Sequence, residues 1–278
     1  MKPIKKRDIW LLIIVLATIT LFGVWVLLSE QEVKDITSSS TNTNNQSNSK
    51  PSNTPPTQKP SIPPQNSETL ALVNGMISPN TDPRFGLLPD DYSNKTIYVQ
   101  KPVRDALIRM INTAKSDGID LIVISGFRSY SEQMSIWQRK WQANSGMDDL
   151  GKVQQILKFS SIPGISRHHW GTDIDFNNLN VSYWHTGIGA KTYQWLRANA
   201  ASFGFCEPYY GKAQGQRLGG YEDEPWHWSY VALARPLQRK RSENMGEILR
   251  QPIVGSSVLL SKPEWVTQYV NSISTTCQ

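Results

Sequence analysis

The sequence predicts an α+β domain with a small central antiparallel sheet flanked by helices. In KPVRDALIRMINTAKSDG, Val103, Leu107, Met110 and Ile111 recur at helical spacing, so one face is buried. The apolar run IDLIVI over 119–124 has the length and branching of a core strand. TDIDF alternates, which puts Asp173 and Asp175 on one face of a short strand and Ile174 and Phe176 on the other.

Taken in chain order, residues 1–8 form a basic tail with Lys2, Lys5, Lys6 and Arg7. Residues 9–28 carry no charge and are dominated by Ile, Leu, Val, Phe and Trp. A helix of that length, at about 1.5 Å per residue, matches a hydrocarbon core of about 30 Å. The run ends in WVLLSEQE, which lacks a small-residue cleavage site, so an uncleaved transmembrane anchor is expected. The basic flank then puts the amino terminus in the cytoplasm and the rest of this single-pass chain outside it. Segment 29–67 is rich in Ser, Thr, Asn, Gln and Pro, too poor in apolar side chains to offset the entropy of ordering, and reads as a disordered linker. Such a tether holds the next domain on the order of 30 Å from the membrane. Residues 68–278 are a normal length for one domain.

Within that domain the first helix starts near Pro102, where a proline costs nothing, and ends at Gly118. The strand over 119–124 delivers SGFRS to its carboxyl end, and SEQMSIWQRKWQA forms the next helix, capped by Ser131 or a neighbour. After the loop that starts at Gly164 comes TDIDF. AKTYQWLRANAASFGF is a helix closed by Gly204, and PWHWSYV a last strand with Trp226 and Trp228 pointing opposite to His227.

The net charge is +6; without Lys2, Lys5, Lys6, Arg7 and Asp8, which together contribute +3, it falls to +3. With no basic stripe interleaved with aromatics, a nucleic-acid partner is not expected. Cys206 and Cys277 are the only cysteines, have no C-x-x-C spacing, and are either a disulfide of an exported domain or inert.

Chemistry concentrates in two clusters. SRHHWGTDIDF holds His168 and Asp175, and EPWHW holds Glu224 and His227. Two imidazoles and a carboxylate suffice for a catalytic zinc site, which keeps three protein ligands and one open position, and Glu224 can act as its base. Arg128 cannot lose its charge and can hold a carboxylate or a developing oxyanion. No G-x-S-x-G is present, so a serine hydrolase is not indicated.

These pieces resemble the VanY-type D-alanyl-D-alanine carboxypeptidases, zinc peptidases of the bacterial cell wall. Their Ser-x-His-x-x-Gly-x-x-x-Asp pattern is met by Ser166, His168, Gly171 and Asp175, and their Glu-x-x-His by Glu224 and His227. SGFRS with Gln133 resembles the substrate-site arginine segment, and LVN at 72–74 with LPDDY at 88–92 resembles the opening of the domain, so the likeness covers about 71–237. The resemblance implies Zn2+ held by His168, Asp175 and His227, with Glu224 as base and Arg128 near the scissile group. It also implies peptidoglycan stem peptides as substrate and removal of the terminal D-Ala, and, with the anchor expected over 9–28, a bacterial cytoplasmic-membrane location. The same machinery with another pocket would be an L,D-carboxypeptidase or an endopeptidase, and without turnover a wall-binding module.

Several assignments have alternatives. Asp173 is either a substrate contact, a partner behind a ligand histidine, or the ligand in place of Asp175. Ser129, Tyr130 and Gln133 either line the pocket or build a turn and helix cap. Ser166 orients its loop or touches substrate. His169 is packed, supports a ligand, or binds metal, and His185 is a surface or pocket-rim residue. The sequence does not specify an oligomeric state.

Overall fold

The computed structural model describes residues 64–246 and 251–278, so the expected tail, anchor and most of the expected linker lie outside the described residues. Among the described residues, no helix is long and apolar enough to cross a membrane. Helix α1 (Pro64–Val73) begins inside the stretch read as linker. Its Leu70 and Val73 pack with Trp170, Ala234 and Leu237, which supplies the apolar contact that a tether lacks.

A hairpin of β1 (Phe85–Leu87) and β2 (Tyr98–Gln100) leads directly into α2 (Lys101–Ser116). Pro102 sits in the first turn of α2, and Val103, Leu107, Met110 and Ile111 are buried as their spacing predicts. Burying a side chain such as Leu107 or Met110 contributes roughly 1.5–3 kcal/mol. Gly118 follows with φ 74°, a conformation that a side chain resists.

The main sheet has the antiparallel order β3-β4-β6-β5. Its strands are β3 (Val123–Ser125), β4 (Asp173–Phe176), β5 (Phe205–Cys206) and β6 (His227–Tyr230). The strand expected over 119–124 is therefore shorter and later. Ile119 still donates to the Ala114 carbonyl at the end of α2, and Ile122 is 37% exposed with its N–H on the Asn177 side chain. Ladder pairing begins only at Val123, opposite Phe176.

Helix α3 (Tyr130–Ala143) is capped by Ser129, two residues before the expected Ser131, in a reciprocal box with Glu132. Helix α4 (Asp149–Ile156) follows, and a 3-10 turn (Arg167–Trp170) ends at Gly171. Helix α5 (Gly187–Asn199) runs into a 3-10 turn (Ala200–Phe203) that Gly204 closes, as expected. Beyond β6 lie α6 (Val231–Glu243), α7 (Ser256–Ser261) and α8 (Pro263–Asn271). One core packs α2 and α5 against Ile174, Phe176 and Trp228 of the sheet and Trp226 just before β6. A second, around Trp137, Tyr209 and Val266, contains the disulfide Cys206–Cys277.

Candidate metal centre

Strand register brings two of the predicted residues together. Asp175 on β4 lies opposite His227 on β6, and directly opposed residues of an antiparallel pair project to the same face. Ile174 and Trp228, also paired, project the other way into the core. His168 arrives from the 3-10 turn, which Gly171 ends at φ 64°. A Cβ there would stand 2.3 Å from the Phe85 ring, so glycine is required. Glu224 belongs to the turn before β6, where the His227 N–H donates to the Glu224 carbonyl at 2.9 Å.

The ring nitrogens are sorted by partners that can only accept. His168 Nδ1 donates to the Gly126 carbonyl at 2.9 Å, so Nε2 presents its lone pair 3.3 Å from Asp175 Oδ2. His227 Nε2 donates to Asp173 Oδ1 at 3.0 Å, which turns Nδ1 toward Asp175 Oδ1 at 3.1 Å. Asp175 Oδ1 is buried and completes no hydrogen bond. Ligand atoms of His168, Asp175 and His227 thus lie within 4.8 Å of one another, all buried. Facing lone pairs repel unless a cation lies between them, so these residues fit a metal ion.

Protons reveal the same electrostatics. Burial pushes the His168 imidazole below its usual range. Burial also works against a charged His227, but the hydrogen bond to Asp173 and the charges of Asp175 and Asp173 outweigh it and raise the group to about 9. Burial opposes ionisation of Asp175 as well, yet His168 and His227 hold it well below the carboxylate range. Glu224, whose Oε2 is 3.6 Å from His227 Nδ1, is pushed up to about 8 by burial, with repulsion from Asp175 adding to the shift.

Asp173 is fully buried behind His227 and is not among the residues that line the cleft, the arrangement expected of a partner behind a ligand histidine. Its oxygens accept from Arg167 Nε at 2.7 Å, Thr172 Oγ1 at 2.6 Å and Ser229 Oγ at 3.1 Å, besides His227. Ser129, Tyr130 and Gln133 likewise stay outside the cleft lining. The Ser129 hydroxyl caps α3, the Tyr130 N–H donates to the Gly75 carbonyl, and Gln133 Oε1 accepts from Arg128 Nη1 at 2.9 Å. Arg128 also donates through Nη2 to Ser125 Oγ and stands 3.8 Å from Asp175 Oδ2. His169 engages both nitrogens, Nδ1 donating to the Arg128 carbonyl at 2.6 Å and Nε2 accepting from the Gly164 N–H at 3.0 Å, so it braces two loops rather than binding metal. His185 is exposed and lines a neighbouring cavity.

The cleft over the cluster has a volume of about 430 Å³, and Arg128, Ser166 and Glu224 are among its walls. Sequence reasoning missed Tyr209, whose ring is 4.7 Å from that of His227, and Lys140, Tyr221 and Phe159, which also line the cleft. Tyr209 and Tyr221 follow no motif spacing; a lysine on the buried side of a helix was the one available signal.

Two histidines and an aspartate around one point, with a glutamate of raised proton affinity alongside, define a candidate mononuclear metal centre of hydrolytic type. Residues 96–233 match the VanY family, described as D-alanyl-D-alanine carboxypeptidase. The chain thus carries a domain of that family. It is 30% identical over 181 residues to a putative carboxypeptidase, YodJ, of Bacillus subtilis, covering 60% of this chain and 62% of that one. It is 28% identical to a D-alanyl-D-alanine carboxypeptidase of Enterococcus faecalis, covering 45% of each chain. The chain therefore spans less than two thirds of the length of either relative. Among solved structures, VanYB in complex with D-alanine-D-alanine is 22% identical with a TM-score of 0.44, covering 67% of this chain and 93% of that one.

Proposed function

We propose that this chain is a zinc-dependent D-alanyl-D-alanine carboxypeptidase that hydrolyses the terminal D-Ala from peptidoglycan stem peptides. The observation that carries this reading is the convergence of three lone-pair donors beside a buried glutamate, in a chain that carries a VanY-family domain. His168 through Nε2, His227 through Nδ1 and the Asp175 carboxylate would hold the zinc, a donor set that suits it. When bound, the ion supplies Lewis acidity, lowering the pKa of a water and polarising the scissile carbonyl.

The other steps belong to side chains. Glu224 takes the proton of the attacking water and passes it to the leaving amine; a carboxylate whose burial raises its proton affinity is a stronger base once a nearby cation ionises it. Arg128 keeps its charge through the cycle and stabilises the developing oxyanion. Asp173, itself held by Arg167, Thr172 and Ser229, keeps His227 in the tautomer that leaves Nδ1 free. Residues 9–28 anchor the chain in the bacterial cytoplasmic membrane, and the polar segment after them carries the domain to the wall outside.

Mass analysis of wall fragments incubated with the zinc-loaded protein tests the reading. Loss of one terminal alanine from pentapeptide stems, abolished by chelator and restored by zinc, is the expected result. A tetrapeptide trimmed instead points to an L,D-carboxypeptidase, and a cut cross-link to an endopeptidase. Bound zinc with every fragment intact overturns hydrolysis and leaves a wall-binding module.

A further inference from the structure

Three buried or half-buried cations line the cleft, and they differ in how they are neutralised. Arg167 donates to Asp173, Gln238 and Ser229, and Arg128 is held by Gln133 and Ser125 near Asp175. Lys140 is half-buried, and its Nζ meets only the Ser160 hydroxyl, at 2.5 Å; it forms no ion pair among the described residues. An ammonium withdrawn from water without an anion is costly, so such an arrangement stands when a ligand supplies the missing charge.

The fold aims this group. Ile136 and Lys140, four residues apart on α3, line the cleft, with Lys140 roughly 10 Å along the axis from the buried Gln133. The segment 160–161 bridges them: the Ser161 carbonyl accepts from Gln133 Nε2 at 2.7 Å, and Ser160 holds Lys140. Arg128 is thus fixed at the metal end of the cleft while Lys140 waits farther along it. Burial lowers the affinity of Lys140 for its proton, with Arg128 and Arg139 adding to the effect and the charge of Glu224 opposing it. An incoming anion would restore it.

We propose that Lys140, with Ser160, is a carboxylate-binding subsite that sets the specificity of this cleft for anionic peptides. It rests on the proposed carboxypeptidase reading, and the carboxylate is either the free terminus of the leaving D-Ala or an internal one on the retained stem. The test uses the full zinc-loaded chain with Glu224→Gln, so that peptide is not consumed, and compares it with Glu224→Gln/Lys140→Met by calorimetry. The probes are a stem pentapeptide with an internal D-glutamate carboxylate, its carboxyl-terminal amide, and the form with the internal carboxylate amidated. Lys140→Met should weaken the doubly acidic peptide about 10- to 100-fold, and Lys140→Arg should retain most of the affinity. The amidated peptide that is already weak, and indifferent to Lys140→Met, names the carboxylate that is read. Unchanged affinity for all three peptides in Lys140→Met overturns the subsite. If the chain with Glu224 intact cleaves none of them while binding still depends on Lys140, the carboxypeptidase reading fails and the subsite stands; cleavage that is indifferent to Lys140 has the opposite meaning.

Discussion

Zinc uptake by the metal-free protein should be strongly pH-dependent, because a proton occupies the place of the ion. The group concerned is His227, raised to about 9 by Asp173 and Asp175 against the effect of burial. At pH 7 the incoming zinc must displace a proton held some two pH units more tightly than the solution holds it, which costs about 2.7 kcal/mol, or roughly 100-fold in affinity. His168 adds no proton, since burial keeps it neutral, and Asp175 is already ionised, whereas Glu224, pushed up to about 8, gives up a second proton as the cation ionises it. Apparent affinity should therefore rise more steeply than tenfold per pH unit below about pH 8, about tenfold per unit above it, and level off near pH 9. Competition with a zinc-binding dye of known proton dependence measures this directly. Asp173→Asn removes an anion from His227 and should move the bend to lower pH. Equal zinc affinity at pH 7 and pH 9, after correction for the dye, would refute the proton-for-zinc exchange. The same shift bears on stability with a definite sign: the raised pKa stabilises the metal-free fold fully below the unfolded value of about 6.5, and that contribution is lost as pH climbs through about 9.

Other substitutions probe separate links. Glu224→Gln should keep fold and zinc while lowering turnover on a stem peptide by about 10²- to 10⁴-fold; an unchanged rate would remove Glu224 as base. Gly171→Ala must fit a Cβ against Phe85 at φ 64° and should cost about 1–3 kcal/mol, read as a lower melting temperature with reduced zinc content because His168 shares the turn. Replacing Cys206 and Cys277 by serine opens a link across 71 residues and should cost roughly 2–5 kcal/mol in denaturant unfolding, with zinc still bound by the folded fraction.

Much of the domain was legible wherever a residue pattern has its own period. Helix α2 declared itself through Val103, Leu107, Met110 and Ile111, and β4 through the alternation around Asp173 and Asp175. Strands β1, β2 and β5 are only two or three residues long, too short to display alternation, and were not anticipated. The beginning of β3 was misplaced because 119–122 are apolar for packing and not for ladder pairing.

The sequence by itself determined the chemical types at the centre: two imidazoles, a carboxylate and a glutamate at spacings that match the VanY pattern. It also determined where glycine had to stand, since Gly171 and Gly204 mark left-handed backbone. Only the tertiary structure decided which aspartate faces the common point and which stands behind His227. That choice depends on a register between β4 and β6, strands more than fifty residues apart, and on acceptors such as the Gly126 carbonyl that select each imidazole tautomer. The place of Lys140 was decided the same way, because a lysine on a helix becomes a cleft residue only when another segment, here 160–161, closes over its face.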